Sequence, residues 1–137
     1  MKRWSKVMLA VGLVALLGCT LLACGGGGGA AASTPEGTVR NFLSAMQSQD
    51  VERMAACCTG QEKEDILETG QDMFSGVNTI RISNIDIEVV SQSEDEATVE
   101  ATYHIKMTME GGTYEDDDSG SADLVKMDGK WYIEFSY

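Results

Sequence analysis

The chain contains little positive charge and little histidine. Its 137 residues include ten Lys and Arg against 22 Asp and Glu, and His104 is the only histidine. Residues 1–23 hold three of the basic residues and no acidic ones, so residues 24–137 carry seven basic and 22 acidic residues, a net charge of −15. A body of that charge repels nucleic acid and anionic lipid, which excludes a polyanion-binding protein. The length indicates a single folded domain.

The spacings typical of metal sites are also missing. Neither C-x-x-C nor H-x-x-x-H occurs, and the acidic run at residues 115–120 has a glycine where an EF-hand loop needs its third ligand. We therefore predict no metal and no cofactor. We expect the acidic run to lie in a solvated loop or a hairpin tip, with a weak Ca²⁺ site as the alternative.

The first 24 residues have the pattern of an export signal. A basic start precedes an apolar run at residues 7–23, which is slightly short for a membrane span. Residues 21–24 read LLAC and resemble the lipobox of bacterial lipoproteins, in which the cysteine is lipidated and becomes the new N-terminus. That resemblance implies lipidation at Cys24. Residues 16–19 read LLGC, which makes Cys19 the alternative site, and a plain signal peptide or an uncleaved helix is the other interpretation.

The chain is thus predicted to have three parts. Residues 1–23 are the lipoprotein signal peptide, residues 24–34 are the lipidated cysteine and a glycine-rich tether, and residues 35–137 are the folded domain. The tether reads GGGGGAAAST after Cys24, so it offers no side chain that could build a core. We expect an extracytoplasmic protein that is lipid-anchored to a bacterial membrane, in the cell envelope.

Three amphipathic helices are predicted at the start of the domain. Ser33 and Glu36 have capping-box spacing, and Pro35 suits a first turn. Asp50 can cap a second helix, which Thr59-Gly60 would end, and a third covers residues 61–74. Each has an apolar stripe at helical spacing. The stripes are Val39, Phe42, Leu43 and Met46, then Val51, Met54, Ala55 and Cys58, then Ile66, Leu67, Met73 and Phe74.

Strand periodicity follows. Residues 97–109 alternate without exception between apolar or small and polar residues, which predicts a long antiparallel strand with one solvated face. Residues 79–90 alternate with a change of phase, which predicts a β-bulge near Ser83-Asn84. Asp128-Gly129 predicts a hairpin turn. The pairs expected across it are Lys126 with Trp131, Leu124 with Ile133 and Ala122 with Phe135.

Helices followed by a meander of strands predict an α+β fold, in which N-terminal helices pack on one side of a curved antiparallel sheet. The stretches TPEGTVRNFLSAMQSQDVERMAACC and VKMDGKWYIEF resemble the nuclear-transport-factor-2-like (cystatin-like roll) superfamily. The resemblance is closest to small bacterial lipoprotein domains of its lumazine-binding-like branch. It implies a cone-shaped roll around the first helix, with room for a pocket at the wide end.

Enzymes of that superfamily place Asp, His or Tyr on the concave face of the sheet. Here the strand and hairpin residues expected on that face include no carboxylate and no imidazole, so we assign no catalytic residue. His104 falls on the opposite, polar face, and we interpret it as solvated. Tyr103 is the polar group expected to point inward, and Tyr103 and Trp131 are the candidate ligand-binding residues.

Three acidic residues and two cysteines complete the candidates. Asp72, Asp86 or Glu88 could reach a pocket mouth, although nothing in the sequence pairs them. The adjacent Cys57 and Cys58 are interpreted as buried small hydrophobes, with a vicinal disulfide as the alternative.

Together these features favour a non-catalytic envelope module that binds a small apolar ligand or another envelope protein. An isomerase- or dehydratase-type enzyme of the superfamily and a purely structural lipoprotein are the alternatives. A homodimer through the polar sheet face around Thr98, Glu100, Thr102 and Lys106 is a further expectation.

Overall fold

The computed structural model of the chain describes residues 30–134. The predictions for the signal peptide, Cys19, Cys24, most of the tether and the Ala122–Phe135 pair therefore lie outside the described residues. No helix within residues 30–134 is both long and apolar enough to cross a membrane.

Three helices precede four strands. The helices are α1 (Pro35–Gln47), α2 (Val51–Ala56) and α3 (Gly60–Met73), and the strands are β1 (Val77–Gln92), β2 (Glu96–Met109), β3 (Gly112–Met127) and β4 (Lys130–Ile133). The strands form one antiparallel sheet in the order β1-β2-β3-β4. The predicted α+β fold, with helices before a curved antiparallel sheet, is confirmed.

Helix α1 is capped one residue later than predicted. Thr34, and not Ser33, is the N-cap, and its Oγ1 accepts a hydrogen bond from the Gly37 backbone N–H at 3.1 Å. Pro35 then occupies the first turn, where its missing N–H costs nothing. Because a residue that precedes proline is held in extended conformation, Thr34 is the last non-helical residue and takes the cap.

Helix α2 begins as predicted and ends early. Asp50 caps it, because its Oδ1 accepts a hydrogen bond from the Arg53 backbone N–H at 3.1 Å. The helix stops at Ala56, whereas Thr59 and Gly60 begin α3. The predicted stripes of α1 and α2 all pack in or against the core.

The predicted stripe of α3 is only half right. Ile66 is buried, but Leu67 is 50% exposed and Met73 is 57% exposed. Helix α3 packs mainly on α2 and not on the sheet, so only a narrow strip of its surface is covered. Its apolar residues outside that strip stay in contact with solvent.

Gly70 of α3 packs directly against Val51 of α2. A Cβ atom at this position would lie 2.5 Å from Val51 Cγ1. We expect Gly70→Ala to destabilise the domain by about 1–3 kcal/mol in chemical denaturation, although alanine is the better helix former. Val51→Ala removes the colliding methyl groups, so the double variant should lose less than the sum of the two single losses. Simple additivity of the two losses would contradict this packing.

The β1–β2 ladder contains the predicted bulge. Its register shifts between Ser83 and Asp86, and Asn84 has a φ of 52°, a left-handed conformation that asparagine tolerates better than most residues. The shift lets Ile82 before the bulge and Ile87 after it face the same side of the sheet. The change of phase in the sequence is therefore a bend in a single strand.

The prediction for the acidic run was wrong. Residues 115–120 lie within β3, and the chain turns at Glu110 and Gly111 instead. Every residue of β2 from Glu96 to Met109 pairs with β3 without a break. Aspartate and glycine have low strand propensity, but strand preference depends strongly on context, and here the ladder with the well-patterned β2 prevails.

The β3–β4 hairpin has the predicted register. Lys126 pairs with Trp131 and Leu124 pairs with Ile133. Asp128 and Gly129 both have positive φ, at 53° and 78°, as a two-residue turn of this twist requires. The hairpin brings β4 against α1 and against Cys57 and Cys58, which follow α2, and so closes the core.

The core lies between the helices and one face of the sheet, here called the inner face. Its most deeply buried large residues include Met54, Leu124 and Ile133. Thr38 of α1 is fully buried among them. Its hydroxyl accepts a hydrogen bond from the Ala32 N–H at 2.9 Å and donates one to the Trp131 carbonyl at 2.8 Å. This single side chain therefore joins the start of the domain, α1 and β4.

Candidate functional site

The inner face has a filled half and an open half. Helix α1 packs on β1, β2 and β4, whereas β3 from Gly112 to Ser121 is exposed. The open half, called the inner patch below, consists of three cross-strand pairs. They are Tyr103 with Asp118, Ile105 with Asp116, and Met107 with Tyr114.

Two carboxylates therefore stand on the inner face, contrary to the sequence prediction. Asp116 and Asp118 lie on that face because they pair with Ile105 and Tyr103, which point toward the core. The prediction was correct for β2 and β4, and it failed for β3 because residues 115–120 were expected to form a loop. Extending the alternation of β2 to a hairpin partner could have revealed them.

Tyr103 and Asp118 form the contact of the inner patch that could serve in proton transfer. The Tyr103 hydroxyl lies 3.5 Å from Asp118 Oδ2, the length of a weak hydrogen bond. Burial raises the pKa of Tyr103, and the charge and hydrogen bond of Asp118 raise it further. The shift favours the protonated form of the phenol.

The other acidic candidates lie elsewhere. Asp72 is exposed near the end of α3. Asp86 and Glu88 lie on the outer face, the side of the sheet away from the helices, opposite Thr102 and Glu100. None of these three carboxylates contacts Tyr103 through a hydrogen bond within the described residues.

Trp131, the second predicted ligand-binding residue, is part of the core. It is 2% exposed, its backbone N–H donates to the Ala32 carbonyl at 2.8 Å, and the Lys126 ammonium lies 5.9 Å from its ring centroid. Trp131 pairs with Lys126, whose backbone N–H donates a hydrogen bond to the Asp95 carbonyl just before β2. Asp95 and Tyr103 are eight residues apart, which corresponds to roughly 26 Å along an extended strand. The structure therefore does not bring Tyr103 and Trp131 together.

His104 lies on the outer face, as predicted, but it is paired. Its Nε2 lies 2.8 Å from Glu115 Oε1 and its Nδ1 lies 2.8 Å from Asp117 Oδ1. Ionised carboxylates only accept hydrogen bonds, so both contacts are hydrogen bonds at once only in the protonated imidazolium, in which both ring nitrogens donate. These hydrogen bonds raise the pKa of His104, while His104 and then Lys106 lower the pKa of Glu115.

The three groups do not form a metal site. Glu115 and Asp117 bond to opposite nitrogens of the ring, so they cannot converge with it on one ion. Asp116 and Asp118 point to the other face of the sheet. Across residues 30–134, no three His, Cys, Asp or Glu side chains are grouped so that they could hold a metal ion.

The stability of the domain is expected to fall as the pH rises above neutrality. The pKa of His104 is raised in the folded state, so protonated His104 stabilises the fold. This stabilisation is fully present below the ordinary pKa of 6.5 and is lost as the pH rises through the folded-state pKa. Thermal unfolding between about pH 6 and pH 9 should therefore show a falling Tm that is flatter in His104→Gln. An equal slope in both proteins would show that another group controls it.

Cys57 and Cys58 are inert in this structure. They are 0% and 1% exposed, and both are free thiols. Burial raises the pKa of Cys57 to about 11 and that of Cys58 to about 12. The thiols are thus protonated and poor nucleophiles, which agrees with their interpretation as small core residues.

Two open depressions mark the surface of the described domain. One, of about 470 Å³, lies at the turn between β1 and β2 and is bounded by Ser91, Glu96 and Asp123. The other, of about 660 Å³, lies at the edge of β1, where Arg81 and Lys106 face the end of α1. Neither includes Tyr103 or Trp131.

Comparison with known families agrees with this architecture. The family described as the NTF2-like N-terminal transpeptidase domain matches residues 34–137, nearly the whole of the described domain. The chain belongs to this family. The resemblance to the nuclear-transport-factor-2-like superfamily is thereby confirmed, with the helices and hairpin that carried it both inside the match. No curated protein matches this NTF2-like chain.

Solved structures share the NTF2-like fold at low sequence identity. A candidate aromatic ring hydroxylase from Novosphingobium aromaticivorans has a TM-score of 0.61 at 12% identity, over 69% of this chain and 78% of that chain. A ketosteroid isomerase-like protein from Erwinia carotovora atroseptica has a TM-score of 0.60 at 21% identity, over 72% and 86%. A candidate scytalone dehydratase from Novosphingobium aromaticivorans has 0.54 at 20%, over 72% and 75%. At these identities the likeness shows the fold alone.

Proposed function

We propose that this chain is a membrane-anchored extracytoplasmic lipoprotein whose NTF2-like domain is a non-catalytic binding module. The observation that carries the proposal is the filled half of the inner face. Trp131, Leu124 and Ile133 are at most 2% exposed there, so core side chains occupy the space beneath the sheet. Recognition would then take place on the surface, and a small apolar ligand or an envelope protein is the partner we expect.

The family supports a role beside another protein. It is described as an N-terminal domain of transpeptidases, which makes it a domain that accompanies a catalytic one. The inner patch offers a partner two tyrosines and Met107 beside Asp116 and Asp118, whereas its Ile105 is buried in the core. A photo-crosslinking amino acid at Tyr114 should capture a discrete envelope protein, whereas the same probe at exposed Lys63 of α3 should not. Equal capture at both positions would contradict a specific surface.

The anchor is tested by substitution of the two candidate cysteines. Cys24→Ala should abolish labelling by a fatty-acid probe and release the protein from membranes, whereas Cys19→Ala should retain both. The reverse result would move the lipidated residue to Cys19. Unchanged labelling and membrane association in both variants would contradict a lipid anchor at either cysteine.

An isomerase- or dehydratase-type activity is the second candidate, and the Tyr103–Asp118 contact favours it. A phenol kept protonated beside a carboxylate can donate a hydrogen bond to a carbonyl oxygen while the carboxylate moves a proton. Isomerisation of a β,γ-unsaturated ketone, followed by ultraviolet absorbance, tests this. Turnover that is lost in both Tyr103→Phe and Asp118→Asn would overturn the non-catalytic proposal, whereas turnover no faster than buffer supports it.

A homodimer through the outer face is part of the same proposal. Glu88 lies opposite Glu100 on that face, so dimerisation would bring several carboxylates together. Sedimentation velocity over a wide concentration range measures the association directly. Sedimentation that does not change with concentration would contradict the dimer.

A further inference from the structure

Two of the few cations of this acidic chain lie side by side. Arg81 of β1 and Lys106 of β2 are direct cross-strand partners on the outer face, and both are exposed. Within residues 30–134, neither side chain has an ion-pair partner closer than 4.0 Å. The nearest acid in register is Glu115, opposite Lys106 on β3, and its carboxylate is bonded to His104.

Between β1 and β2 this arrangement is the reverse of what stability favours, whereas on its β3 side Lys106 faces the acidic Glu115. Opposite charges at directly facing positions stabilise a sheet, and like charges there destabilise it. Residues 24–137 hold 22 acidic residues and only seven basic ones, so an acidic cross-strand partner for Arg81 would be easy to supply. A negatively charged ligand that rests between Arg81 and Lys106 would remove the repulsion.

The surroundings of the pair are those of a binding groove. Arg81 and Lys106 line the depression of about 660 Å³ at the β1 edge, together with the facing threonines Thr79 and Thr108. An oxyanion there would meet the guanidinium group of Arg81, the ammonium group of Lys106 and the hydroxyl groups of the two threonines. The opposite wall is polar as well, because Gln49 at the end of α1 also lines the groove.

The wall at the end of α1 is held in place by hydrogen bonds to β1. Gln47 Oε1 accepts a hydrogen bond from the Ile82 backbone N–H at 2.8 Å, and Gln49 Nε2 donates to the Asn78 carbonyl at 3.4 Å. The groove therefore presents fixed amides next to its cations. Amides and hydroxyls suit the hydroxyl or amide groups of a polar ligand.

We propose that this groove binds a small anionic ligand, held through a carboxylate or phosphate between Arg81 and Lys106. The ligand is small because the net charge of −15 over residues 24–137 repels a polyanion. Within a Debye length of about 8 Å, the two nearby cations dominate the field that a small anion meets. Binding is weak, with Kd in the range of about 1 mM, since exposed ion pairs contribute little each. The site lies away from the inner patch and does not depend on the anchor.

An NMR titration at constant ionic strength tests the proposal. The probes are inorganic phosphate, acetate and glucuronate, added to the ¹⁵N-labelled protein produced from the full chain and purified in detergent. We expect saturable shifts of the backbone amides of Thr79, Arg81, Lys106 and Thr108. Arg81→Gln and Lys106→Gln should each weaken binding by roughly fivefold.

Lys63→Gln, on α3, is the matched control because it changes the net charge equally and lies outside the groove. It should leave binding unchanged, and equal weakening by all three variants would overturn the site. The Tm of Arg81→Gln should stay equal or rise, since the like-charge pair is gone. Absence of saturable shifts with every probe would also overturn the proposal.

Vesicles that contain phosphatidylglycerol, compared with phosphatidylcholine alone, separate the two sources of phosphate. Because the acidic body repels an anionic bilayer, we expect the free anions to bind and the vesicles not to recruit the domain beyond its anchor. Recruitment to phosphatidylglycerol that Arg81→Gln abolishes would support the same groove with a lipid headgroup as its ligand. Recruitment that Arg81→Gln leaves intact would place anion binding elsewhere.

Discussion

Replacing Trp131 with alanine is expected to destabilise the domain by about 3–5 kcal/mol. The indole is 2% exposed and pairs across the hairpin with Lys126, whose ammonium lies above the ring. Its removal leaves a large cavity between β4 and α1, and the loss is a substantial part of the roughly 5–15 kcal/mol that stabilises a typical domain. Urea denaturation followed by circular dichroism measures it.

Tyr114→Ala is the matched control for this substitution. Tyr114 is also an aromatic residue on the inner face, but it is 43% exposed and lies over the open half. We expect its truncation to cost about 1 kcal/mol or less. A loss at Trp131 that is no larger than the loss at Tyr114 would mean that the faces of the hairpin are reversed.

The second large effect is expected at Thr38. Its hydroxyl serves the Ala32 N–H and the Trp131 carbonyl in a fully buried position. Thr38→Val keeps the shape of the side chain and leaves both backbone groups without this partner, which should cost about 2–4 kcal/mol. The measurement is the same denaturation experiment.

Thr38→Ser separates the hydroxyl from the methyl group. Serine retains the donor and acceptor and loses one methyl, so we expect it to cost only about 1 kcal/mol. If valine proved as stable as serine at this position, the two buried hydrogen bonds would not be holding β4 to α1. Nothing in the local pattern around Thr38 predicts this role, because both of its partners come from outside the helix.

Much of the fold follows from local patterns. The uninterrupted alternation at residues 97–109 predicts β2 to within one residue of its observed bounds, and the change of phase at Ser83-Asn84 predicts the bulge. Asp128-Gly129 predicts both the turn and its register. These features depend on the backbone preferences and periodicity of a few adjacent residues, which a sequence shows directly.

Other features depend on what covers a surface. The stripe of α3 includes Leu67 and Met73, which look like core residues by spacing and are exposed because the helix packs mainly on α2. The acidic run of β3 looks like a loop by composition, yet its backbone is paired along its length with β2. Propensity and spacing describe a segment alone, whereas burial and pairing belong to its neighbours.

The candidate sites show the same division more sharply. Sequence spacing selects Tyr103 as an inward polar group but not its neighbour Asp118, and it selects His104 as an outward residue but not its bonds to Glu115 and Asp117. The cation pair of Arg81 and Lys106 is likewise invisible along the chain, because 25 positions separate its members. Each of these contacts requires the register between two strands.

By itself, the sequence determined the order and type of the elements, the helix cap at Asp50 and the turn of the β3–β4 hairpin. It also determined the excess of acidic residues and the solvated face of β2. These properties are local, since each arises from a period, a turn or a composition. Only the tertiary structure decided which polar groups meet: the carboxylates around His104, the contact of Tyr103 with Asp118, and the neighbouring cations Arg81 and Lys106 at the β1 edge. The physical reason is that a one-residue change of strand register exchanges every partner and every face while it leaves the sequence pattern unchanged.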